Sequence, residues 1–432
     1  MVDLDTLVSL CKRRGFVFPS SEIYGGFAGF WDFGPLGVEL KRNIRDLWWR
    51  TIVQGRDDVV GLDASIIMNP RTWVTSGHVK EFVDRLVECK SCRQRFREED
   101  VTGTICPNCA GILAEARLFN TMFKTIVGPV EEDASVAYLR PETAQGIFVD
   151  FKNVQTTSRK KLPFGIAQIG KAFRNEITPG RFIFRSREFE QMELEYFVRP
   201  GTDEEWFHYW VQFYFDWFVK YGVRPEDLKI YDVPADERAH YSKMTADLMF
   251  NYPFGWAELM GTADRTDFDL RQHAAGSGED LSYFDEEANS RFLPYVIEPS
   301  VGVERPFLAF MLSAYHEEPD KDGTRVVLKL HPRLAPYKAA ILPLSRKEPL
   351  VARARGVWET LRPHFMTTYD DSQSIGRRYR RQDEIGTPWC VTVDFQTLDD
   401  DAVTIRDRDS MTQTRVPIAE LVANLNDRLL TS

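Results

Sequence analysis

The chain has 432 residues, of which 43% are hydrophobic and 28% charged, and its formal net charge at pH 7 is −10. This length allows two or three domains with a large buried core, and the acidic balance argues against a surface coated in basic charge for non-specific nucleic-acid binding. The sequence shows no signal peptide and no apolar run of about 18 residues, so we expect a cytoplasmic protein without a membrane span.

The N-terminal region predicts two helices. Residues 4–14 have the pattern of a short amphipathic helix. A long helix is predicted to begin at Pro35, because apolar side chains recur from there at helical spacing. These are Leu36, Leu40, Ile44, Leu47 and Trp48.

Four of the six cysteines form two C-x-x-C pairs in a polar segment, residues 86–116. The pairs are Cys89 with Cys92 and Cys106 with Cys109, and 13 residues separate them. Four thiolates suit a closed, tetrahedral, structural zinc site, which would supply folding energy to a segment too small for a core of its own. The alternative is four free or redox-active thiols. The lone Cys11 and Cys390 are predicted to be buried packing residues.

The stretch AFRNEITPGRFIFRSREFEQMELEYFV, residues 172–198, predicts two strands joined by a turn. Along the second strand, Met192, Leu194 and Tyr196 share the face that should meet a core. The other face carries Gln191, Glu193 and Glu195. Such a face is either solvated, with cross-strand ion pairs, or a binding site. For Glu195 we expect a solvated or supporting charge.

Two further segments bring charged groups to the start of helices. LRPETAQGIF, residues 139–148, presents Arg140 and Glu142 at a turn into a helix. YVIEPSVGVERPFLAFM, residues 295–311, predicts a strand followed by a helix with Arg305 in its first turn. An arginine is poorly placed there for the helix dipole, which favours an external anion as its partner. Between these segments, the aromatic helix predicted near 204–222 has side chains typical of packing.

After Pro332 and Pro336 the pattern changes to that of a small α/β domain, residues 333–432. Short apolar strands, AAILPL, WCVTVDF and AVTIRD, alternate with helical stretches near 347–361 and 417–430. Acidic and basic residues balance here, so this domain is the more plausible partner for a polyanion. Its basic run is either a solvated helix face or a contact for RNA phosphates. The run consists of Arg377, Arg378, Arg380 and Arg381.

Three of these segments together resemble the signature motifs of the class II aminoacyl-tRNA synthetases. The helix after YGGFAGFWDFGPLG resembles their first motif, AFRNE with RSREFEQMELEYF the second, and GVERPFLAFM the third. Within that class, SSEIYGGFAGFWDFGPLG, LRPETAQGIFVDFKN, ADRTDFDL and YVIEPSVGVERPFLAF match the homodimeric glycyl-tRNA synthetases. The segment from HPRLAPYKAAILPL to SIGRRYRRQDEIGTPWCVTVD resembles their anticodon-binding domain.

The resemblance covers nearly the whole chain and implies an α+β fold. A class II catalytic domain with an antiparallel sheet would occupy residues 1–332, with the cysteine-rich zinc insert at 86–116, and an α/β anticodon-binding domain would occupy 333–432. The implied reaction is activation of glycine by ATP to glycyl-adenylate, followed by transfer of glycine to the 3′ end of tRNA(Gly). The resemblance also implies Mg²⁺ and a homodimer.

The resemblance further implies site residues. Arg174 would bridge the α-phosphate and the amino-acid carboxylate, Arg305 would reach the γ-phosphate and Glu258 would bind Mg²⁺. The implied glycine contacts are Glu142, Phe189, Glu190, Gln191, Met192, Glu193, Glu298, Pro299, Ser300, Val301, Gly302 and, loosely, Arg97. The implied ATP contacts are Arg174, Asn175, Glu176, Phe184, Arg185, Ser186, Arg187, Glu188, Phe189, Glu258, Leu259, Gly302, Val303, Glu304 and Arg305.

In the implied pocket, Glu142, Glu193 and Glu298 surround the glycine ammonium, and without that cation they would repel one another. Crowding by Ser300 would reject larger amino acids sterically, so no editing domain is required. Arg265 either holds these acidic groups in place or forms a structural salt bridge. Asp264, Asp267 and Asp269 are predicted to be turn and network residues.

Two other functions compete with this hypothesis. One is a catalytically inactive, synthetase-like RNA-binding or accessory protein; such relatives tend to lose the ATP-contacting arginines, whereas Arg174 and Arg305 are both present. The other is a synthetase of the same subclass for serine, threonine or proline. The EPSVG strand and the RPETAQG loop argue against that alternative.

Overall fold

The computed structural model describes residues 2–129, 135–320 and 323–432. The α-helices are α1 (Leu4–Arg14), α2 (Pro35–Trp49), α3 (Pro70–Thr75), α4 (His78–Glu81), α5 (Ala144–Ser158), α6 (Asp203–Lys220), α7 (Phe268–Ser277), α8 (Glu304–Ala314), α9 (Glu348–Leu361), α10 (Ile375–Ile385), α11 (Thr397–Asp400) and α12 (Leu421–Thr431).

The strands are β1 (Val17–Pro19), β2 (Trp31–Phe33), β3 (Val59–Gly61), β4 (Val83–Glu88), β5 (Arg95–Arg97), β6 (Arg117–Asn120), β7 (Lys124–Ile126), β8 (Val136–Tyr138), β9 (Phe164–Phe173), β10 (Glu188–Val198), β11 (Leu228–Asp232), β12 (Met244–Tyr252), β13 (Gly255–Thr266), β14 (Tyr283–Asp285), β15 (Ser290–Phe292), β16 (Tyr295–Gly302), β17 (Tyr315–Asp320), β18 (Gly323–Leu328), β19 (Ala339–Pro343), β20 (Thr367–Tyr369), β21 (Trp389–Val393), β22 (Ala402–Asp407) and β23 (Gln413–Pro417). The helices and strands predicted above are all present, with ends shifted by a few residues.

A large sheet forms the centre of the first part of the chain, with strand order β11-β12-β13-β16-β10-β9-β3 among the described residues. Its pairs are antiparallel except β3 with β9, which are parallel. The expected antiparallel catalytic sheet is therefore confirmed.

One face of this sheet meets the main hydrophobic core. Met192, Leu194 and Tyr196 of β10 are fully buried there against the helices α2, α6 and α8. The apolar stripe predicted on α2 is buried, and the Trp48 indole N–H donates to the Tyr214 hydroxyl of α6 at 3.1 Å. The aromatic side chains of α6 thus act as packing groups, as predicted.

The other face of the sheet changes character along its strands. Near one end, Phe197 of β10 packs with Phe164 of β9 and with Phe151 of α5. Further along β10 the same face carries Glu195 and Glu193, of which 0% and 1% are exposed. Of the two alternatives expected for Glu195, a solvated charge is therefore wrong, because α5 and α7 cover this face and exclude water, and a supporting charge stays a prediction.

A three-stranded sheet, β5-β4-β6, carries the cysteine-rich insert on its loops. Cys89 and Cys106 are buried in a small apolar cluster with Val87 and Leu113. Cys11 and Cys390 are also buried, as predicted.

The last hundred residues form a separate mixed sheet, with strand order β20-β19-β21-β22-β23 and a core of its own against α9 and α12. Ion pairs connect it to the first part of the chain: Glu384 of α10 meets Arg13 and Arg14 of α1. The predicted α/β architecture is confirmed. No helix within the described ranges combines the length and the apolar composition that crossing a bilayer requires.

The basic run on α10 has mixed surroundings. Arg378 is 1% exposed and donates to backbone carbonyls of the preceding loop and of β19. Arg381 pairs with Asp370, and Arg380 pairs with Asp383. Arg377 is exposed. Arg378, Arg380 and Arg381 therefore stabilise the fold through contacts within the chain, whereas Arg377 faces the solvent.

Candidate active site

A cavity of about 540 Å³ opens on the polar face of the large sheet. Strands β10, β13 and β16 provide its floor, and the segment around α4 and β4 provides one wall. Glu142, Glu193 and Glu298 gather at one end of the cavity, and Arg174, Arg185 and Arg305 line another part of it together with Glu258. Because the sheet fixes the backbone, the spacing of these groups is set by strand register.

Glu193 lies at the acidic end with its charge well satisfied. Its Oε1 accepts from the Ser300 hydroxyl at 2.7 Å and from the Gln191 amide at 3.4 Å. Its Oε2 accepts from the Thr143 backbone N–H at 3.1 Å and from the Thr143 hydroxyl. Burial and the nearby Glu142 nevertheless raise the pKa of Glu193 above its ordinary value.

Glu142 faces His78 across the cavity wall. The two are joined by a contact of 3.3 Å between His78 Nε2 and Glu142 Oε1, and the Ser76 hydroxyl lies 2.8 Å from the other ring nitrogen, Nδ1. The Gln145 amide also donates to Glu142 Oε1, at 3.0 Å. Although burial opposes ionisation, His78 and Arg265 hold the pKa of Glu142 below its ordinary value.

Arg265 is a buried cation between two carboxylates. It donates from Nε to Asp269 at 2.7 Å and from Nη1 to Glu298 at 2.8 Å, and it lies 3.8 Å from the centre of the Tyr241 ring. Both alternatives for Arg265 therefore apply, since the same salt bridge holds the acidic groups in place. Burial, with Glu193 and Glu142, raises the pKa of Glu298 to about 8 although Arg265 opposes this shift.

Glu195 lies directly behind the cavity wall. Neither of its carboxylate oxygens has a hydrogen-bond partner among the residues that the structure describes, and the residue is 0% exposed. Oxygens of Glu193, Glu195 and Glu298 all lie within 4.8 Å of one another. Burial and the charge of Glu298 raise the pKa of Glu195 well above its ordinary value.

Arg174 lies at the basic end of the cavity, one residue beyond β9. Its Nε donates to the Pro141 carbonyl at 3.0 Å, and its guanidinium lies 5.4 Å from the centres of both the Phe82 and the Phe189 rings. These contacts hold the side chain while its terminal nitrogens remain directed at the cavity. Arg187, by contrast, donates to backbone carbonyls of Ala28 and Glu176 and supports the loop.

Arg305 lies in the first turn of the helix α8 and in the cavity wall. Its Nη1 lies 2.9 Å from Glu258 Oε1, and its guanidinium lies 4.6 Å from the centre of the Phe184 ring. Arg305 holds the pKa of Glu258 below its ordinary value. Asp247 is close by, and burial together with Glu258 raises its pKa to about 7. An arginine, an aromatic ring and two carboxylates thus share this end.

The structure brings most of the residues implied by the sequence to the cavity wall. Those in the wall are Arg97, Glu142, Arg174, Glu176, Phe184, Arg185, Ser186, Phe189, Gln191, Glu193, Glu258, Glu298, Ser300, Gly302, Glu304 and Arg305. Those outside it are Asn175, Arg187, Glu188, Glu190, Met192, Leu259, Pro299, Val301 and Val303.

Strand alternation explains much of this division. Glu190 follows the buried face of β10 and meets Lys41 at 2.9 Å and Arg45 at 3.1 Å, both on α2. Met192 and Val301 point into the main core.

Several wall residues carried no signal in the sequence. They are Glu81, Phe82, Val83, Asp84, Thr121, Ile183, Tyr241, Thr245, Gly261, Thr262 and Ala263. No sequence pattern indicated His78, which contacts Glu142, either. A contact between residues 64 positions apart leaves no periodic pattern in either segment. An alignment of relatives is the kind of signal that finds such residues.

The four cysteines of the insert converge on one point. Sγ of Cys89 lies 3.5 Å from Sγ of Cys109, and Sγ of Cys92 lies 3.7 Å from Sγ of Cys106. Four thiolates at zinc–sulfur distances of about 2.3 Å place neighbouring sulfurs about 3.8 Å apart in a tetrahedron. The donor set and its spacing therefore fit a tetrahedral metal ion.

Comparison with known proteins places the chain among enzymes of translation. Residues 123–315 match the family described as tRNA synthetase class II core domain (G, H, P, S and T), and residues 338–428 match the anticodon binding domain. The chain is 54% identical to the glycine–tRNA ligase of Thermobifida fusca (strain YX) over 452 residues, 99% of this chain and 98% of that protein.

Two further relatives give the same result. The glycine–tRNA ligase of Streptomyces coelicolor (strain ATCC BAA-471 / A3(2) / M145) is 54% identical over 453 residues, 99% of this chain and 98% of that protein. The glycine–tRNA ligase of Geobacillus kaustophilus (strain HTA426) is 52% identical over 458 residues, 99% of both chains.

Proposed function

The chain belongs to the glycine–tRNA ligases, class II aminoacyl-tRNA synthetases with a C-terminal anticodon-binding domain, and from this premise we propose how its cavity residues share the reaction. Its activity is the ATP-dependent joining of glycine to tRNA, and the inactive alternative is not supported. The observation that carries the proposal is the grouping of Glu142, Glu193 and Glu298 at one end of a cavity whose wall also contains Arg174 and Arg305.

We assign the acidic end to the glycine ammonium. Glu142, Glu193 and Glu298 would accept hydrogen bonds from it, and the Ser300 hydroxyl, 2.7 Å from Glu193, would hold that carboxylate in place. A zwitterion bound in this way presents its carboxylate to Arg174 at the basic end. Charge-assisted hydrogen bonds at both ends orient a ligand that has no side chain for the pocket to grip.

Rejection of other amino acids follows from the same crowding. The proposed ammonium contacts come from the neighbouring strands β10 and β16 and from the turn before α5, and a ligand held by all three would have little room at its Cα atom. A methyl group there meets polar, hydrogen-bonded groups, so steric exclusion rejects alanine without an editing site.

Arg174 would stabilise the activation step. An oxygen of the glycine carboxylate attacks the α-phosphorus, the bond from phosphorus to the bridging oxygen breaks, and pyrophosphate leaves. The guanidinium donates to the glycine carboxylate and the α-phosphate together, and these bonds strengthen as negative charge builds up on phosphorus. No proton transfer is required, so orientation and charge neutralisation account for the catalysis.

Arg305 and Phe184 would bind the remaining parts of ATP. The Phe184 ring offers a flat apolar face for adenine, and Arg305, at the start of α8, would reach the γ-phosphate. Glu258 would hold Mg²⁺, with Asp247 beside it; one or two carboxylates plus phosphate oxygens are the ligands magnesium prefers. When bound, Mg²⁺ supplies charge neutralisation to the phosphates of the leaving group.

The remaining proposals concern the rest of the molecule. Cys89, Cys92, Cys106 and Cys109 would bind a structural Zn²⁺ that stabilises the insert. Residues 333–432 would contact the anticodon of tRNA(Gly), with residues 1–332 forming the catalytic domain. A cytoplasmic homodimer is also proposed. Two side chains of the segment before α2, Ile23 and Tyr24, are 88% and 86% exposed, and apolar groups of this size are often covered by a partner.

Amino-acid-dependent ATP–pyrophosphate exchange tests the assignment of the cavity. The purified protein with Mg²⁺ is assayed with each of the twenty amino acids, and we expect exchange with glycine alone. Glu193→Gln should raise the KM for glycine at least about tenfold with little change in the KM for ATP. The exposed Glu226→Gln is the matched control. Exchange with another amino acid, or an unchanged KM in Glu193→Gln, contradicts the proposed pocket.

A further inference from the structure

Two carboxylates at the acidic end face each other across neighbouring strands. Glu193 pairs with Ser300 and Tyr196 with Ile297, so the register sets Glu195 of β10 opposite Glu298 of β16. Like charges directly opposite each other destabilise a sheet. Here both groups are also buried, with 0% of Glu195 and 6% of Glu298 exposed.

The charged groups around Glu195 leave its carboxylate without compensation. Arg265 of β13 is the cation that faces it among the described residues, and its hydrogen bonds go to Asp269 of α7 and Glu298. Glu193, on the same strand, adds another negative charge that its own donors already satisfy.

Other titratable groups lie further away. Glu142 of the loop before α5 lies 3.3 Å from His78 of α4, and His273 of α7 contacts the Gln145 amide oxygen at 2.7 Å. Asp269, Glu193, Glu195 and Glu298 therefore lie around Arg265, and the buried Arg140 is a second cation, whose charge acts on Glu193. An ionised Glu195 would be a buried charge with neither an ion pair nor a hydrogen bond, which is costly in a protein interior.

We propose that Glu195 and Glu298 share one proton while the pocket lacks glycine, and that binding of the glycine ammonium expels this proton. The inference rests on the proposed function, because it takes Glu298 as an ammonium contact. One positive charge enters as one leaves, so the pocket keeps its net charge. The O–H bond of the shared proton breaks, the electron pair stays on the carboxylate, and water in the cavity accepts the proton.

The positions of the two groups suit this exchange. Glu298 lies in the cavity wall and Glu195 lies behind it, so a proton on the pair can leave through Glu298. The raised pKa values of both groups have the direction that the arrangement requires. Glu195 is thus a positioning residue, which sets the charge of Glu298 without touching glycine.

The exchange makes glycine binding depend on pH. Where the pair holds its proton, each glycine bound releases about one proton, and the Kd for glycine falls by up to about tenfold for each unit of rising pH. Glycine itself keeps its ammonium protonated over this range. Glu195→Gln replaces the protonated carboxyl by a neutral amide of the same shape. Its Kd should therefore stay near the value that the unmodified protein has at low pH.

Isothermal titration of the full chain with glycine, at about pH 7 in buffers of different ionisation enthalpy, counts the released protons. We expect about one proton per glycine for the unmodified protein and for the control Glu226→Gln, and almost none for Glu195→Gln. The KM for ATP should be alike in all three. Infrared difference spectra of the unmodified protein should lose a protonated carboxyl band when glycine is added, which requires no variant.

Other results would overturn the proposal. No proton release from the unmodified protein would show that the pair is already ionised. If Glu195→Gln releases as many protons as the unmodified protein, the proton comes from another group, such as His78. Glu298→Gln separates these failures from a failure of the pocket: if glycine binds to it as tightly as to the unmodified protein, the assignment of the acidic end is itself wrong.

Discussion

Two buried charge clusters of this protein are built from the same residue types with opposite balance. At the junction with the C-terminal sheet, Asp383 of α10 accepts from Arg325 at 2.9 Å, from Arg406 at 2.9 Å and 3.1 Å, and from Arg380 at 3.3 Å. At the acidic end of the cavity, the buried Arg265 pairs with Asp269 and Glu298, and the carboxylates of Glu142, Glu193 and Glu195 lie close by.

This difference in charge distinguishes a cluster that stabilises the fold from a cluster that binds a ligand. A buried charge is tolerated when its partners are in place, and the Asp383 cluster provides them from its own chain. The carboxylates at the acidic end of the cavity outnumber the cations of the chain around them, and the ammonium group of glycine can supply a further positive charge. The cysteine cluster is a third case, in which thiolates require a metal ion. An incomplete cluster thus indicates what the protein binds.

The largest expected effect on activity comes from replacing Arg174, the cation that would contact the substrates. Arg174→Ala should lower glycine-dependent ATP–pyrophosphate exchange at least about 10³-fold, because it removes the group that neutralises the reacting phosphate. Circular dichroism should show an unchanged fold, since the guanidinium is not part of a buried ion pair. Arg291→Ala, at a surface pair with Asp280, is the control. Near-normal exchange in Arg174→Ala would remove the basic end from the mechanism.

The cysteine cluster is expected to depend on a bound metal ion, as the acidic end of the cavity depends on glycine. Cys106→Ser should abolish tight zinc binding and make the insert sensitive to proteases, because three thiolates no longer close the tetrahedron. Elemental analysis of the purified protein measures the zinc content. The buried Cys390→Ala should keep its metal. One tightly bound zinc ion per chain in Cys106→Ser contradicts a four-thiolate site.

The Asp383 cluster should lose stability when its central carboxylate is removed. Asp383→Ala removes the carboxylate that Arg406 pairs with and leaves the buried Arg325 with Glu318, which should lower the free energy of unfolding by about 3–5 kcal/mol. Urea denaturation followed by fluorescence measures this change. Asp401→Ala, which removes an exposed ion pair with Arg353, should cost at most about 1 kcal/mol. Equal losses in the two variants would show that the buried cluster contributes no more than a surface pair.

The smallest expected effect is a gain in stability. Because the pKa of Glu195 is raised on folding, the folded chain binds more protons than the unfolded chain above about pH 4.5, the ordinary value for a glutamate. Stability therefore falls as pH rises from there towards the raised pKa. Glu195→Gln removes this loss and should raise the melting temperature by roughly 2–4 °C at about pH 8, with no gain near pH 4.

Thermal scans of both proteins at the two pH values check this prediction. A lower melting temperature of Glu195→Gln at the higher pH would mean that Glu195 is ionised and stabilising. The acidic end would then resemble the Asp383 cluster, and the contrast between them would disappear.

Local patterns in the sequence determined much of this protein. Alternation along residues 188–198 assigned Met192 and Glu193 to opposite faces of a strand, and the structure keeps that division. The two C-x-x-C pairs predicted a convergence that the sulfur distances confirm. The change of pattern after Pro332 predicted the second sheet. Each of these signals extends over a few residues, within the reach of backbone geometry and side-chain periodicity.

Only the tertiary structure decided which polar groups are buried and what faces them. The same alternation that identified the polar face allowed it to be solvated, and the packing of α5 and α7 over it made Glu195 a buried group. The contact of His78 with Glu142 and the register of Glu195 against Glu298 join segments far apart in the chain. Strand periodicity fixes the direction of a side chain, whereas the balance of charge around it depends on elements that pack over the sheet from elsewhere in the chain.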